Sequence, residues 1–194
     1  FNDSGGSGLS GFDVRASTNQ AAGPYLFDWT PLIISINLST YNLDWSLASA
    51  LWNLLREETT NYISIRVYDI AGATNTLSDV FKIFKDTTPA AITDNQSGDE
   101  IWRNINSGVY NVDFADAGGS KLSKFQIRAS TNTGTIGPFS PDWTDNVTNI
   151  NSFSYSSDWS LVTGHWSLLL PGTNYISARV YDSAGNPTTF GSQP

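Results

Sequence analysis

Apolar and polar residues alternate one for one over several short stretches of the chain. In residues 125–130, Phe125, Ile127 and Ala129 fall on one face and Gln126, Arg128 and Ser130 on the other. In residues 175–181, Ile176, Ala178 and Val180 oppose Tyr175, Ser177, Arg179 and Tyr181. A period of two marks a half-buried strand. Residues 109–114 and 80–85 read as further strands, and Gly-, Asn-, Asp- and Pro-rich runs such as Asp116-Ala117-Gly118-Gly119 and Ser183-Ala184-Gly185-Asn186-Pro187 read as turns between them. One stretch, residues 47–56, is helix-like. Its counterpart, residues 161–170, contains Gly164 and runs into Pro171, and is expected to form a turn followed by a strand. Many short strands with frequent turn signals predict an all-β fold of antiparallel β-sandwiches.

The pattern occurs twice. Residues 1–19 return as residues 114–132, with Phe1 against Phe114, and residues 61–69 return as residues 174–182, with Tyr62 against Tyr175. The offset is 113 residues at both anchors, slips by one between them, and slips back. A unit of this length is an ordinary domain rather than a solenoid repeat of about 20–50 residues. Two tandem domains are expected, 1–87 and 88–194.

The register places both chain ends inside a domain. Phe1 aligns with Phe114, so the first copy has no counterpart of the stretch from about Thr88 to Asp113, and the second stops before a counterpart of residues 81–86. A start at Phe suggests a window onto a longer natural polymer. The first copy is therefore expected to leave one side of its core, at Phe12, Val14 and Val67, and a sheet edge open to water. The missing strands would come from upstream sequence of the same polymer or from a neighbouring chain by β-augmentation.

Residues 170–181, Leu-Pro-Gly-Thr-Asn-Tyr-Ile-Ser-Ala-Arg-Val-Tyr, resemble the turn and penultimate strand of fibronectin type III and related immunoglobulin-like domains. Asp182-Ser183-Ala184-Gly185-Asn186 and the linker Phe84-Lys85-Asp86-Thr87-Thr88-Pro89 resemble the repeated bacterial immunoglobulin-like domains of large surface proteins. The resemblance implies a tyrosine corner at Tyr62 and Tyr175, each hydroxyl bonded to backbone a few residues upstream. Phe114 stands where fibronectin type III domains usually carry Trp, and residues 137–166 exceed the usual connection.

Composition narrows the chemistry. The chain has no Cys and no Met, which excludes disulfides, a cysteine nucleophile and thiolate metal sites. A net charge of −8 argues against a nucleic-acid partner, which needs a basic face. No apolar run approaches the ~18 residues of a membrane span. Of seven Trp, Trp29, Trp45 and Trp52 recur as Trp143, Trp159 and Trp166, which suggests packing rather than sugar stacking; Trp102 has no counterpart. His165, the single histidine, aligns with Leu51, which suggests a tolerant surface or edge position. No Gly-x-Ser-x-Gly elbow or other catalytic motif occurs, so no enzyme is expected.

In a sandwich of this type the loops carrying Asp116 and Asp182 share a pole with the linker residue Asp86. Together these three could hold a junctional calcium; alone, each Asp would cap its own turn. No other cofactor is indicated. Sequons at Asn2, Asn37, Asn95 and Asn146 matter only in a glycosylating host. These readings predict a structural repeat of an extracellular or cell-surface protein, a stalk, spacer or filament strand. Its partners would be neighbouring repeats or copies of itself. An adhesin or glycan-binding module with exposed aromatics is the alternative, and an accessory domain of a secreted hydrolase comes third.

Overall fold

The computed structural model describes residues 1–20, 22–133 and 136–191. The end of the second sequence copy, residues 192–194, lies outside them. The chain is all-β with antiparallel sheets and divides into two compact units, Phe1–Lys85 and Asp86–Pro194.

Unit 1 carries one four-stranded sheet. Its strands are β1 (Leu9–Asn19), β2 (Ala22–Leu38), β3 (Thr60–Asp69) and β4 (Thr74–Phe84), in the order β2-β1-β3-β4. The pairing of β1 with β3 sets Phe12 against Val67, Val14 against Ile65 and Ala16 against Ile63, so the apolar sets of both strands share a face. Gly11 is required where β2 crosses β1, because a Cβ there would lie 2.5 Å from the Ile33 carbonyl oxygen. Leu51 and Leu55 complete the core from the long connection between β2 and β3.

The expected opening of this core at Phe12 and Val14 does not occur: they are 1% and 0% exposed. Phe1, Tyr41 and Trp45 cover Phe12, with ring centroids 4.9, 5.8 and 5.3 Å away. Val67 is partly buried against the same core. Large aromatics on an irregular segment do the covering that regular strands were expected to do.

Unit 2 carries two sheets around one core. The first has β7 (Leu122–Ser130), β8 (Thr144–Val147), β10 (Tyr175–Asp182) and β11 (Pro187–Phe190), in the order β11-β10-β7-β8. The second has β5 (Ala91–Asp94), β6 (Val112–Ala115) and β9 (Ser154–Tyr155), in the order β5-β6-β9. Phe114, Phe125, Ile127, Trp159 and Val180 meet between them. The aromatic group of unit 1 returns, with Phe114, Tyr155 and Trp159 at 4.6, 5.6 and 5.0 Å from Phe125.

Two local expectations are corrected. Residues 49–52 and 163–166 both form one-turn helices, α1 (Ser49–Trp52) and α2 (Thr163–Trp166), and no strand follows α2 until Tyr175. The long helix fails because only Leu51 and Leu55 are buried there. His165 is not on the surface: it is 8% exposed, in the seat Leu51 holds in unit 1.

The tyrosine corner is also absent. Among the described residues neither the Tyr62 nor the Tyr175 hydroxyl bonds to upstream backbone. Tyr62 pairs with Ser17 and Lys82 on the sheet face that carries Ser64 and Arg66, opposite the buried Ile63 and Ile65. The preceding asparagine ties the corner. Asn61, fully buried, accepts from Arg56 N at 2.9 Å and donates to the carbonyls of Arg56 and Ile83 at 2.9 and 3.2 Å. Asn174 repeats this with Leu170 N and O at 3.2 and 2.7 Å.

Candidate functional site

Two constellations stand out, one on the polar face of the main sheet in each unit and one among the turns of unit 2. The first follows from parity. Inward-facing Val14 and Ile65 force their neighbours Arg15 and Arg66 outward, where β2 supplies Tyr25 and Trp29. The Arg15 guanidinium lies 4.3 Å from the ring centres of both Tyr25 and Trp29, and Arg66 lies 4.6 Å from Trp29 and 5.1 Å from Tyr68. The result is an alternating ladder, Tyr25, Arg15, Trp29, Arg66, Tyr68.

Unit 2 rebuilds the ladder from counterpart residues. Arg128 lies 4.0 Å from Phe139 and 4.5 Å from Trp143, and Arg179 lies 4.4 Å from Trp143 and 5.3 Å from Tyr181. Each such contact is worth about 0.5–1 kcal/mol at partly exposed sites. The rings bury the guanidinium stems so thoroughly that Nε of Arg15, Arg66 and Arg128 has no hydrogen-bond partner among the described residues. Polar partners fix the outer rungs. Asp13 accepts from Arg66 Nη2 at 2.8 Å and from the Tyr68 hydroxyl, while its counterpart Gln126 accepts from Arg179 Nη2 at 2.6 Å. Donation to the Asp13 carboxylate raises the Arg66 pKa, and burial, then the hydrogen bond to Asp13, pushes the Tyr68 phenol above its ordinary 10.0.

The repeated tryptophans therefore divide by role. Trp159 is buried in the core, and Trp45 and Trp166 pack partly buried against theirs. Trp29 and Trp143 each lie under two guanidinium groups, and Trp52, 37% exposed, has the Lys85 ammonium 6.0 Å from its ring. Trp102 is 87% exposed. The sequence carries a signal for the ladders: all four arginines fall on the polar parity at repeated positions, and Arg66 and Arg179 stand two residues before Tyr68 and Tyr181.

The second constellation brings together Asp86, Asp116 and Asp182, whose carboxylates each place an oxygen within 4.8 Å of the others. Asp116 and Asp182 are buried. Backbone N–H groups converge on the carboxylates: Thr88 and Ser120 on Asp86 at 3.0 and 2.9 Å, Gly118 and Lys121 on Asp116 at 2.9 and 2.6 Å, and Asn186 on Asp182 at 2.8 Å. The Asn186 amide bridges Asp182 Oδ2 at 2.7 Å and the Asp86 carbonyl at 3.1 Å. Gly118 makes room for the cluster, since a Cβ there would lie 2.0 Å from Asp86 Oδ1. Each carboxylate oxygen keeps lone-pair capacity beyond one N–H, so this donor set suits a hard oxygen-seeking cation such as calcium.

Unit 1 holds the same turn chemistry in part. Asp3 accepts from Gly5 N and Gly8 N, both at 2.7 Å, and Asp69 accepts from Ala73 N at 2.6 Å. The N–H of Gly5, and next that of Gly8, holds the Asp3 carboxyl below its ordinary 3.8.

No helix among the described residues is long and apolar enough to cross a membrane. No protein-family model matches the chain, and no curated protein matches it.

Proposed function

We propose that this chain is a structural repeat module of a long extracellular bacterial surface protein. In this reading it consists of tandem immunoglobulin-like sandwiches and acts as a stalk, spacer or filament strand within a polymeric assembly. The observation that carries the reading is the pair of arginine–aromatic ladders. Both units commit the same outward-facing aromatics to their own cohesion, and an indole under two guanidinium groups has little face left for a sugar ring. Repetition of a self-contained unit sets reach, and Pro89 restrains the backbone of the short linker.

Pulling the chain from its ends by single-molecule force spectroscopy tests this. Two separate unfolding steps are expected, each releasing about 3.6 Å per residue of one unit. A single step at low force, together with saturable binding of oligosaccharides that quenches Trp29 or Trp143, would favour the adhesin reading.

A second reading attaches to the acidic cluster, which its convergence favours. Calcium held by Asp86, Asp116 and Asp182 would tie the first residue of unit 2 to two of its turns and stiffen the base of that unit.

A further inference from the structure

The ladders gather charge as well as rings. Arg15, Arg66 and Lys82 share the polar face of the unit 1 sheet, where Lys82 lies 5.5 Å from the Tyr62 ring. Lys124, Arg128 and Arg179 share the polar face of the main unit 2 sheet, where Lys124 lies 5.5 Å from the Tyr181 ring. These are six of the chain's ten lysines and arginines. Among the described residues one carboxylate forms an ion pair with them in each unit, Asp13 with Arg66 and Asp145 with Lys124, both at 2.8 Å. Each face is therefore positive in a chain whose net charge is −8, and the other surfaces carry most of its 18 Asp and Glu.

One arginine on each face stands apart. Arg66 and Arg179 are tied to Asp13 and Gln126. Arg15 and Arg128, at repeated positions, make no side-chain hydrogen bond or ion pair among the described residues. Two rings close over each of them and bury its Nε, while the Nη ends reach solvent. A guanidinium already held flat loses little further freedom on binding, and its fork fits both oxygens of a carboxylate. The ring faces are occupied, but the N–H edge is open.

We propose that the ladder face of each unit docks a carboxylate-bearing surface of a second copy of this chain, with Arg15 or Arg128 as the fork that takes the carboxylate. The charge distribution selects the partner. Ladder against ladder would set positive against positive, whereas the acidic remainder of another copy is complementary. A contact between two different surfaces is heterologous, so it builds rings or open filaments rather than closed twofold dimers. The inference rests on the reading of this chain as a repeat within a polymeric assembly.

The test is sedimentation velocity of the intact chain over a range of protein concentrations. At about 0.1 M salt the long-range repulsion between like-charged copies is screened while contact pairs persist, and at about 1 M those pairs weaken too. Self-association is expected at the lower salt and should fall away at the higher. In a mixture of isotope-labelled and unlabelled chains, a zero-length carbodiimide crosslink should join Lys82 or Lys124 to an Asp or Glu of the other copy. Arg15→Gln combined with Arg128→Gln should weaken association about tenfold or more. Lys82→Glu, an exposed change that spares the core, should weaken it as well and leave the unfolding midpoint unmoved. A chain that stays monomeric, association that strengthens with salt, or association indifferent to these substitutions overturns the proposal. So does saturable binding of oligogalacturonate at Arg15 and Arg128 without self-association, which would give the fork to an acidic glycan. Two unfolding steps under force in a chain that stays monomeric would remove this contact and keep the repeat module; a single step at low force would remove both.

Discussion

Leu51 and His165 hold the same seat in the two units: each is the third residue of a one-turn helix, and each is 8% exposed. The seat suits leucine without further conditions. Histidine fits by pairing Nε2 with Thr144 Oγ1 at 3.0 Å, and its buried Nδ1 has no hydrogen-bond partner among the described residues.

That difference makes unit 2 sensitive to pH. Burial pulls the His165 pKa below its ordinary 6.5, against the opposing influence of nearby Asp145. A lowered folded-state pKa means that the unfolded chain binds the proton more readily. The stabilising contribution is therefore full above about pH 6.5 and is lost as pH falls through the lowered value. Thermal melts of unit 2 should show this decline, and His165→Leu should abolish it. An unchanged pH profile in the variant would assign the decline to other groups.

The corner asparagine should matter more than the tyrosine after it. Asn61→Ala strands the Arg56 N–H and the carbonyls of Arg56 and Ile83. A loss of at least about 2 kcal/mol is expected in denaturant unfolding, since each buried unpaired group costs roughly 1–3 kcal/mol. Tyr62→Phe and Tyr175→Phe should stay within about 0.5 kcal/mol of the parent. A large cost for the tyrosine changes would restore the tyrosine corner.

The ladders predict a non-conservative lysine. Arg179→Lys keeps the charge but loses the planar stack on Trp143 and the paired bonds of 3.1 and 2.6 Å to Gln126. Unit 2 should lose about 1–2 kcal/mol by equilibrium unfolding. Trp143→Ala should cost more, because it frees Arg128 as well. Equal stability of Arg179→Lys and parent would reduce the ladder to incidental contact.

Calcium added to chelator-treated protein should raise the unfolding midpoint of unit 2 and leave unit 1 unmoved. At a hundred times the dissociation constant the gain is about 2.7 kcal/mol. Asp182→Asn should remove the increment. No shift would leave the backbone N–H network as the whole role of the cluster.

Gly118→Ala probes the same cluster by steric means alone. A methyl group placed 2.0 Å from Asp86 Oδ1 must push the carboxylate off the Ser120 N–H. The expected loss is about 1–3 kcal/mol, with or without calcium. A neutral result would mean that Asp86 has another resting place.

What could be read from sequence followed from periodicity. The alternation at Phe125, Ile127 and Ala129, and at Ile176, Ala178 and Val180, gave the strands and the inward faces directly. The three aspartates could be grouped because a sandwich of the expected type brings the loops of Asp116 and Asp182 to the pole where Asp86 enters. The ladders were harder, because they depend on how β2 is staggered across β1 through several bulges, and register is not a local property. The tyrosine corner does not form because strand parity, not the local motif, decides which face the ring takes. Tyr62 shares its parity with Ser64 and Arg66, which already placed it on the outer face. His165 misled because a single histidine aligned with leucine looked like drift at a tolerant site, whereas shape complementarity can admit either residue to one closed seat.

The main sheet of each unit has its two interior strands in common, β1 with β3 and β7 with β10, and each of these has neighbours on both sides. An extra residue in such a strand would flip every following side chain to the wrong face. The one-residue slips between the copies obey that restriction. One falls between Asn19 and Gly23, against Asn132 and Gly137, and the other between Trp52 and Asn61, against Trp166 and Asn174. Edges have been free to change, as the 17 residues of β2 against the four of β8 show. Insertions engineered into this protein should therefore be tolerated at those two junctions and rejected between Phe12 and Ser17, so the chain's own history of length changes marks where it can accept new sequence.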